Sequence, residues 1–264
     1  FIEWYEFGVY GFLATVIAAN FFTLQGENEI TSLILTWASF AIAFFFRPLG
    51  AVVFGRIGDR IGRKPTLIIV LVLMTLATAA IGIVPVYASI GIAAPLIVTL
   101  LRILQGLFAG GEYGGAVSLM TEFAPRGKRG LYGAWQSFTV ALGLLAGAGI
   151  VALLSALLSP EALHDWGWRI PFFLALPLGI IGLYLRHALE ETPAFQQHVE
   201  KLEQGDREGL QDGPKVSFKE IATKHWRSLL TCIGLVISTN VTYYMLLTYM
   251  PSYLSHNLHY SEDH

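Results

Sequence analysis

Five ionisable side chains, Glu3, Glu6, Arg47, Arg102 and Glu112, stand inside stretches of sequence too apolar for water. At the centre of a bilayer each such group costs about 2.5 to 3.5 kcal/mol on insertion scales, so each requires a partner, water or a function. A carboxyl group crowded by a second one and short of water is poised between its neutral and charged forms and can carry a proton. A guanidinium on a cavity wall is a bidentate receptor for a carboxylate. Proton and substrate handling is the chemistry these residues offer, and Tyr113, Asn240 and Tyr244 add hydrogen-bonding groups to the set.

The elements that must hold them are membrane helices. Over 264 residues the chain is 54% hydrophobic and only 14% charged, far too little charge for a soluble domain. Seven apolar runs reach spanning length, at residues 1–22, 33–54, 65–84, 93–122, 131–158, 168–186 and 228–254. Counted at about 1.5 Å per residue from the outer helix ends, Glu6 lies roughly 24 Å deep, Arg47 roughly 21 Å and Glu112 roughly 26 Å. These three share one layer, in which Arg47 would hold one acid ionised. Glu3 falls one turn below Glu6 on the same face and either joins that layer or reaches the cytosol. Arg102 precedes Glu112 by about 15 Å along one helix, so the two cannot pair. Either a substrate carboxylate answers Arg102, or the guanidinium packs against a helix C-terminus or a carbonyl cluster.

Lysine and arginine alternate between the loops. Arg56, Arg60, Arg63 and Lys64 follow the second run, Arg126, Lys128 and Arg129 the fourth, and Arg186, Lys201, Arg207, Lys215, Lys219, Lys224 and Arg227 flank or fill the sixth loop. The positive-inside rule then places the N-terminus in the cytosol and the tail, 255–264, outside. This opposes a seven-helix receptor or retinal protein, whose termini lie the other way round and whose last span would need a Schiff-base lysine that 228–254 does not contain. A channel subunit would show repeated pore-lining polar rings, and none is evident. The single Cys232 rules out an internal disulfide. No nucleophile–base pair, phosphate loop or metal-ligand spacing appears, so neither an enzyme, a metal site nor a cofactor is expected. The expected partners are the lipid bilayer, a small-molecule substrate and protons, with no nucleic acid.

The 187–227 segment is the long polar loop. Thr192-Pro193 opens a short helix with Phe195, Val199 and Leu202 on one stripe, and Ser217 with Glu220 forms a capping box for a second helix, with a Gly-rich hinge at 204–214 between them. In the fourth run Gly106, Gly110 and Gly114 recur every four residues beside Gly111 and Gly115, and Gly143, Gly147 and Gly149 mark the fifth; such ridges let helix backbones approach closely. Trp4, Tyr5, Tyr113 and Trp135 offer aromatic walls that a quaternary ammonium would favour.

Between the second and third runs, Gly55-x-x-x-Asp59-Arg60-x-Gly62-Arg63-Lys64 reads as a tight basic turn. It resembles the signature loop of the major facilitator superfamily of secondary transporters. Glu3-Trp4-Tyr5-Glu6-Phe7, Arg47-Pro48-Leu49-Gly50, Arg102-x-x-Gln105-Gly106, Gly110-Gly111-Glu112-Tyr113-Gly114 and the run from Asp165 to Phe172 are similar to the metabolite:proton symporter branch of that superfamily. The resemblance implies an all-α membrane protein of the facilitator fold. Residues 1–186 would form its N-terminal six-helix bundle, 187–227 a central cytosolic loop and 228–254 the seventh helix. The remaining C-terminal half of the same chain would be the missing partner. It further implies a multi-pass protein of the bacterial cytoplasmic membrane that works by alternating access. From Trp166 onward the likeness is to the branch's osmolyte transporters, which implies proton-coupled uptake of a zwitterion of the proline or glycine betaine kind. A carboxylate substrate such as 2-oxoglutarate, shikimate or citrate is the alternative, and Arg102 would suit it. In the family the acid matching Asp59 helps latch the outward-facing state, which here would set Asp59 and Arg60 against Arg126 and Arg129.

Overall fold

A bilayer offers no water to an unpaired peptide group, so apolar chain that enters it closes its hydrogen bonds within helices. The computed structural model follows this rule throughout the residues it describes, which are 1–23, 29–125, 127–188, 223–224 and 226–244. Their order is α1 (Ile2–Phe12), α2 (Ala14–Ile17, continued by a π-helical turn Ala18–Phe22), α3 (Glu29–Ile61), α4 (Arg63–Ile83), α5 (Tyr87–Ile90), α6 (Ala93–Phe123), α7 (Arg129–Leu157), α8 (Pro160–Ala162, running into a π-helical turn Leu163–Gly167), α9 (Arg169–Ala188) and α10 (Trp226–Tyr244). Within α3, α4, α6, α7 and α9 lie five helices long and apolar enough to cross a membrane, and α1 with α2 makes a sixth if the bent pair is one span.

The first span departs from the straight helix expected over 1–22. It bends by 64° at Leu13. Beyond the bend, the Asn20 amide donates to the carbonyls of Val16 and His164, at 3.1 and 3.0 Å, and so pins the second half of the span to the turn before α9.

The basic turn is also different from its sequence reading. Gly55, Asp59 and Arg60 continue α3, and the reversal is made at Gly62 alone, whose φ of 100° lies in the region that favours glycine. Arg63 and Lys64 already open α4. The chain needs no longer loop, because one left-handed residue ends a helix and lets the next begin at once. The Lys64 ammonium then donates to the His187 carbonyl at 2.8 Å, joining the start of α4 to the end of α9.

The glycines form packing seams. A side chain at Gly106 would overlap the Ala43 carbonyl, one at Gly110 the Arg47 carbonyl, and one at Gly50 the backbone of Leu107, so α3 and α6 meet backbone to backbone. Gly143 and Gly147 bring α7 against α1, where a β-carbon would meet the Phe1 carbonyl at 2.6 Å and the Tyr5 carbonyl at 3.2 Å. Gly149 faces open space and takes no part. Gly114 and Gly115 continue α6, and what packs against them lies outside what is described.

The Trp166-Gly-Trp-Arg-Ile-Pro-Phe stretch anchors the far end of the bundle. Trp168 is buried edge-on between Phe21 and Phe172, and Arg169 donates to the Gly82 and Val84 carbonyls left open at the end of α4. The chain divides into two compact units, 1–201 and 202–264. In the second, α10 is described; Thr231, Thr239 and Asn240 bond back to carbonyls of their own helix. The two short helices expected at 193–202 and from 217, and the end of the seventh run beyond Tyr244, lie outside the described residues.

Candidate functional site

Helices α1, α3 and α6 carry the predicted residues to one place, and the glycine seam between α3 and α6 closes the distance between those two. On α1, the one-turn spacing of Glu3 and Glu6 puts both acids on the face that packs inward, and both are buried. The Glu3 side chain is buried within the bundle. Its carboxylate pairs with Arg47 of α3 at 3.0 Å. The Arg47 guanidinium also stacks over Trp4, Phe7 and Phe44, at 5.4, 4.5 and 4.4 Å from the ring centroids. Four groups therefore hold one cation, and each aromatic contact of this kind contributes about 0.5 to 2 kcal/mol once water is excluded.

Glu112 on α6 has a different cation. It pairs with Arg186 near the end of α9, which also donates to the Leu67 carbonyl on α4, so one guanidinium ties three helices. Sequence reading counted Arg186 only as a loop charge. The signal that could have found it is its place at the end of the sixth apolar run, one helix turn inside the polar loop.

Glu6 is left over. At 1% exposure it is the most deeply buried of the three acids, and neither of its oxygens has a hydrogen-bonding partner of good geometry among the described residues. Its polar neighbours are the hydroxyl of Thr78 and the charges of Glu3, Glu112 and Arg102. Glu3, Glu6, Arg47 and Glu112 are thus neighbours in the bundle, with Arg47 paired to Glu3 and Glu112 to Arg186.

Arg102 has surroundings that its sequence readings did not include. It is fully buried, its Nη1 donates to Gln105 Oε1 at 2.7 Å, and Gln105 Nε2 donates in turn to Thr78 Oγ1 at 2.6 Å. Among the described residues no backbone carbonyl receives a hydrogen bond from it, and its Nε and Nη2 are buried without a partner. Its guanidinium lies 3.7 Å from the Tyr10 ring centroid, with Phe7 and Phe40 at 4.9 and 5.2 Å. Aromatic faces stand in for the missing anion, because Tyr10, Phe7 and Phe40 are the surfaces that α1 and α3 turn toward this point of α6.

The remaining predicted residues do not gather here. Tyr113 is 47% exposed, and Trp135 is likewise exposed. Tyr5 is committed to the core, where its hydroxyl donates to the Pro171 carbonyl at 2.8 Å. Asn240 is occupied by the Val236 carbonyl, and the Tyr244 side chain is outside the described residues. Of the latch, Arg60 and Arg129 are exposed; Arg126 and the side chain of Asp59 lie outside what is described.

Long apolar helices paired along glycine seams around buried acids and arginines define a polytopic transporter of the major facilitator fold. The chain belongs to the sugar (and other) transporter family, which it matches over residues 1–264. It is 61% identical to the proline/betaine transporter of Salmonella typhimurium and 60% identical to that of Escherichia coli K12, in each case over 263 residues, all of this chain and 52% of the relative. It is 57% identical, over the same extents, to the glycine betaine/proline/ectoine/pipecolic acid transporter OusA of Dickeya dadantii. The chain spans about half the length of these curated relatives. Among solved structures, a partially occluded inward-open conformation of the xylose transporter XylE from Escherichia coli superposes with a TM-score of 0.69 at 21% identity, covering 77% of this chain and 48% of that one. The proton:xylose symporter XylE bound to 6-bromo-6-deoxy-D-glucose gives 0.68 at 19%, covering 77% and 45%. Both likenesses to XylE are ones of fold alone.

Proposed function

We propose that the protein takes up a small zwitterionic osmolyte, proline or glycine betaine, together with protons, by alternating access in the cytoplasmic membrane of a bacterium. The observation that carries the substrate is the 61% identity, sustained along the whole chain, to a transporter named for proline and betaine. Residues 1–186 form the N-terminal bundle, 187–227 the cytosolic connection and 228–254 the seventh helix. The alternation of basic loops supports a cytosolic N-terminus. Glu6 is the acid that carries the proton, since Glu3 and Glu112 each pair with a cation and Glu6 pairs with none among the described residues. The enclosure of Arg102 by Tyr10, Phe7 and Phe40 argues against a carboxylate symporter, whose substrate would need that guanidinium exposed. Asp59 with Arg126 and Arg129 forms the latch between states, and no cofactor enters the scheme.

Competition tests the substrate. In cells expressing the complete protein, excess unlabelled proline should suppress uptake of labelled glycine betaine, and excess 2-oxoglutarate should not. Saturable uptake of labelled 2-oxoglutarate with no uptake of betaine would reverse the assignment.

A further inference from the structure

The Glu3 to Arg47 pair lies in an aromatic enclosure whose chemistry exceeds what a structural ion pair requires. The Arg47 guanidinium faces three rings, those of Trp4 and Phe7 on α1 and Phe44 on α3. Phe7 is tilted 47° to Trp4 and 57° to Phe44, so the rings wall the cation from more than one side. Glu3 completes the enclosure with a carboxylate, yet its Oε1, 3.0 Å from Arg47 Nη2, receives no well-aligned hydrogen bond among the described residues. The indole N–H of Trp4 is also buried without a hydrogen-bonding partner among them. Arg47 keeps 19% of its side chain open, against 5% for Glu3, so the cation is the more accessible member of the pair. Several aromatic faces beside an acid are what an organic ammonium ion favours. Here a guanidinium of the same chain occupies them.

We propose that this enclosure is a binding site for the zwitterion, in which the substrate's ammonium replaces the Arg47 guanidinium among Trp4, Phe7, Phe44 and Glu3 while its carboxylate takes Arg47. Proline and glycine betaine carry their opposite charges on either side of one carbon atom, and out of water each charge needs its own partner. Glu3 and Arg47 supply one of each. Opening their pair to a neutral zwitterion leaves no buried charge uncompensated, whereas removing one partner of a buried pair is strongly destabilising. A substrate of net negative charge would satisfy Arg47 and strand Glu3, so the same two residues select against a simple carboxylate. The Arg47 fork accepts a carboxylate bidentately, and the unsatisfied Trp4 N–H adds a donor on the same wall. The ammonium end is read according to its substituents. The trimethylated nitrogen of glycine betaine has no N–H to give Glu3 and depends on the three rings. The secondary ammonium of proline donates to Glu3 directly and depends on them less.

This inference rests on the reading of the protein as an osmolyte transporter, and its test separates the two. The complete protein is reconstituted in proteoliposomes, and exchange of internal for external labelled substrate is measured without a pH gradient, so that proton coupling does not enter. KM is determined for glycine betaine and for proline. Phe44→Leu removes one wall of the enclosure and should raise the ratio of the betaine KM to the proline KM about tenfold. Glu3→Gln removes the carboxylate and should lower that ratio, because proline loses a charge-assisted hydrogen bond that betaine never makes. Shifts in opposite directions are what a shared ammonium site requires. A packing role for the pair would change both KM values by one factor, or lower the maximal rate alone. If Glu3→Gln cannot be recovered folded, Phe44→Leu carries the test, and an unmoved ratio in either folded variant overturns the site. Wild-type protein that exchanges neither substrate removes the osmolyte reading itself.

Discussion

Arg47 Nη2 lies 3.0 Å from Glu3 Oε1, and that pairing decides what Glu6 can be. The two acids are one turn apart on α1, with a single cation of α3 between their helix and the next, and Glu3 has taken it. Glu6 remains buried with no ion pair among the described residues, which makes it the acid free to exchange a proton.

Glu6→Gln, which mimics the protonated acid, should abolish accumulation against a gradient while sparing exchange of internal for external betaine, because exchange needs no net proton movement. Glu112→Gln should behave otherwise, lowering the amount of folded protein in addition to any effect on rate. Tracer exchange and net uptake in the same vesicles separate the two, and full accumulation in Glu6→Gln would return Glu6 to a structural role.

The Glu112 to Arg186 pair should contribute mainly to the bundle. Arg186→Met leaves a part-buried carboxylate without its cation and removes the tie from α9 to the Leu67 carbonyl, a loss on the order of 1 to 3 kcal/mol, below that of a fully buried broken pair. Thermal unfolding of detergent-purified protein should show a drop of several degrees, and Glu112→Gln in the same background should recover part of it. Equal stability of Arg186→Met and wild type would show that the pair is incidental.

Much of this arrangement was legible in the chain. The lengths of the apolar runs located α4, α6, α7 and α9 to within about two residues, since a bilayer fixes how long such a helix must be. The four-residue repeat of Gly106 and Gly110 foretold a seam, though not that Ala43, Arg47 and Leu107 would line its other side. The common depth of Glu6, Arg47 and Glu112 was also readable, because depth follows from counting along a helix. Pairing was not. Which acid takes Arg47 depends on the rotation of α1 about its axis, and a bend at Leu13 that no sequence signal marks changes how that span runs. The surroundings of Arg102 were hidden for a related reason: a sequence shows the charges available to a buried cation, and the aromatic faces beside it become visible only when α1, α3 and α6 are assembled. The length of the basic turn was misjudged because Gly55 and Gly58 resemble turn residues, while only Gly62 adopts a conformation that needs glycine.

The seams give a prediction on stability. Gly110→Ala places a methyl group on the Arg47 carbonyl and should destabilise the bundle by roughly 1 to 3 kcal/mol, with Gly106→Ala similar. Gly149→Ala meets nothing and should be neutral or slightly stabilising. Melting temperatures of the three variants in one detergent would check the order, and a Gly149→Ala defect as large as that of Gly110→Ala would contradict it.

At the end of α3, Asp59 precedes the exposed Arg60, and Gly62 reverses the chain. If this acid latches one state, Asp59→Asn should leave the protein in the membrane at near-normal abundance and reduce transport to about a tenth or less, the loss of a coupling of roughly 1.4 kcal/mol or more. Quantitative blotting beside uptake would measure both. Normal uptake by Asp59→Asn would reduce the basic turn to a membrane anchor.

The central claim is that proton movement drives osmolyte uptake, and one measurement addresses it without any substitution. Proteoliposomes of the complete protein are given an inside-alkaline pH gradient and supplied with labelled glycine betaine or proline. The label should rise inside above its external concentration and fall back to equality when a proton ionophore collapses the gradient. An internal level that stops at equality with the gradient intact, and is unaffected by the ionophore, would contradict proton-coupled uptake.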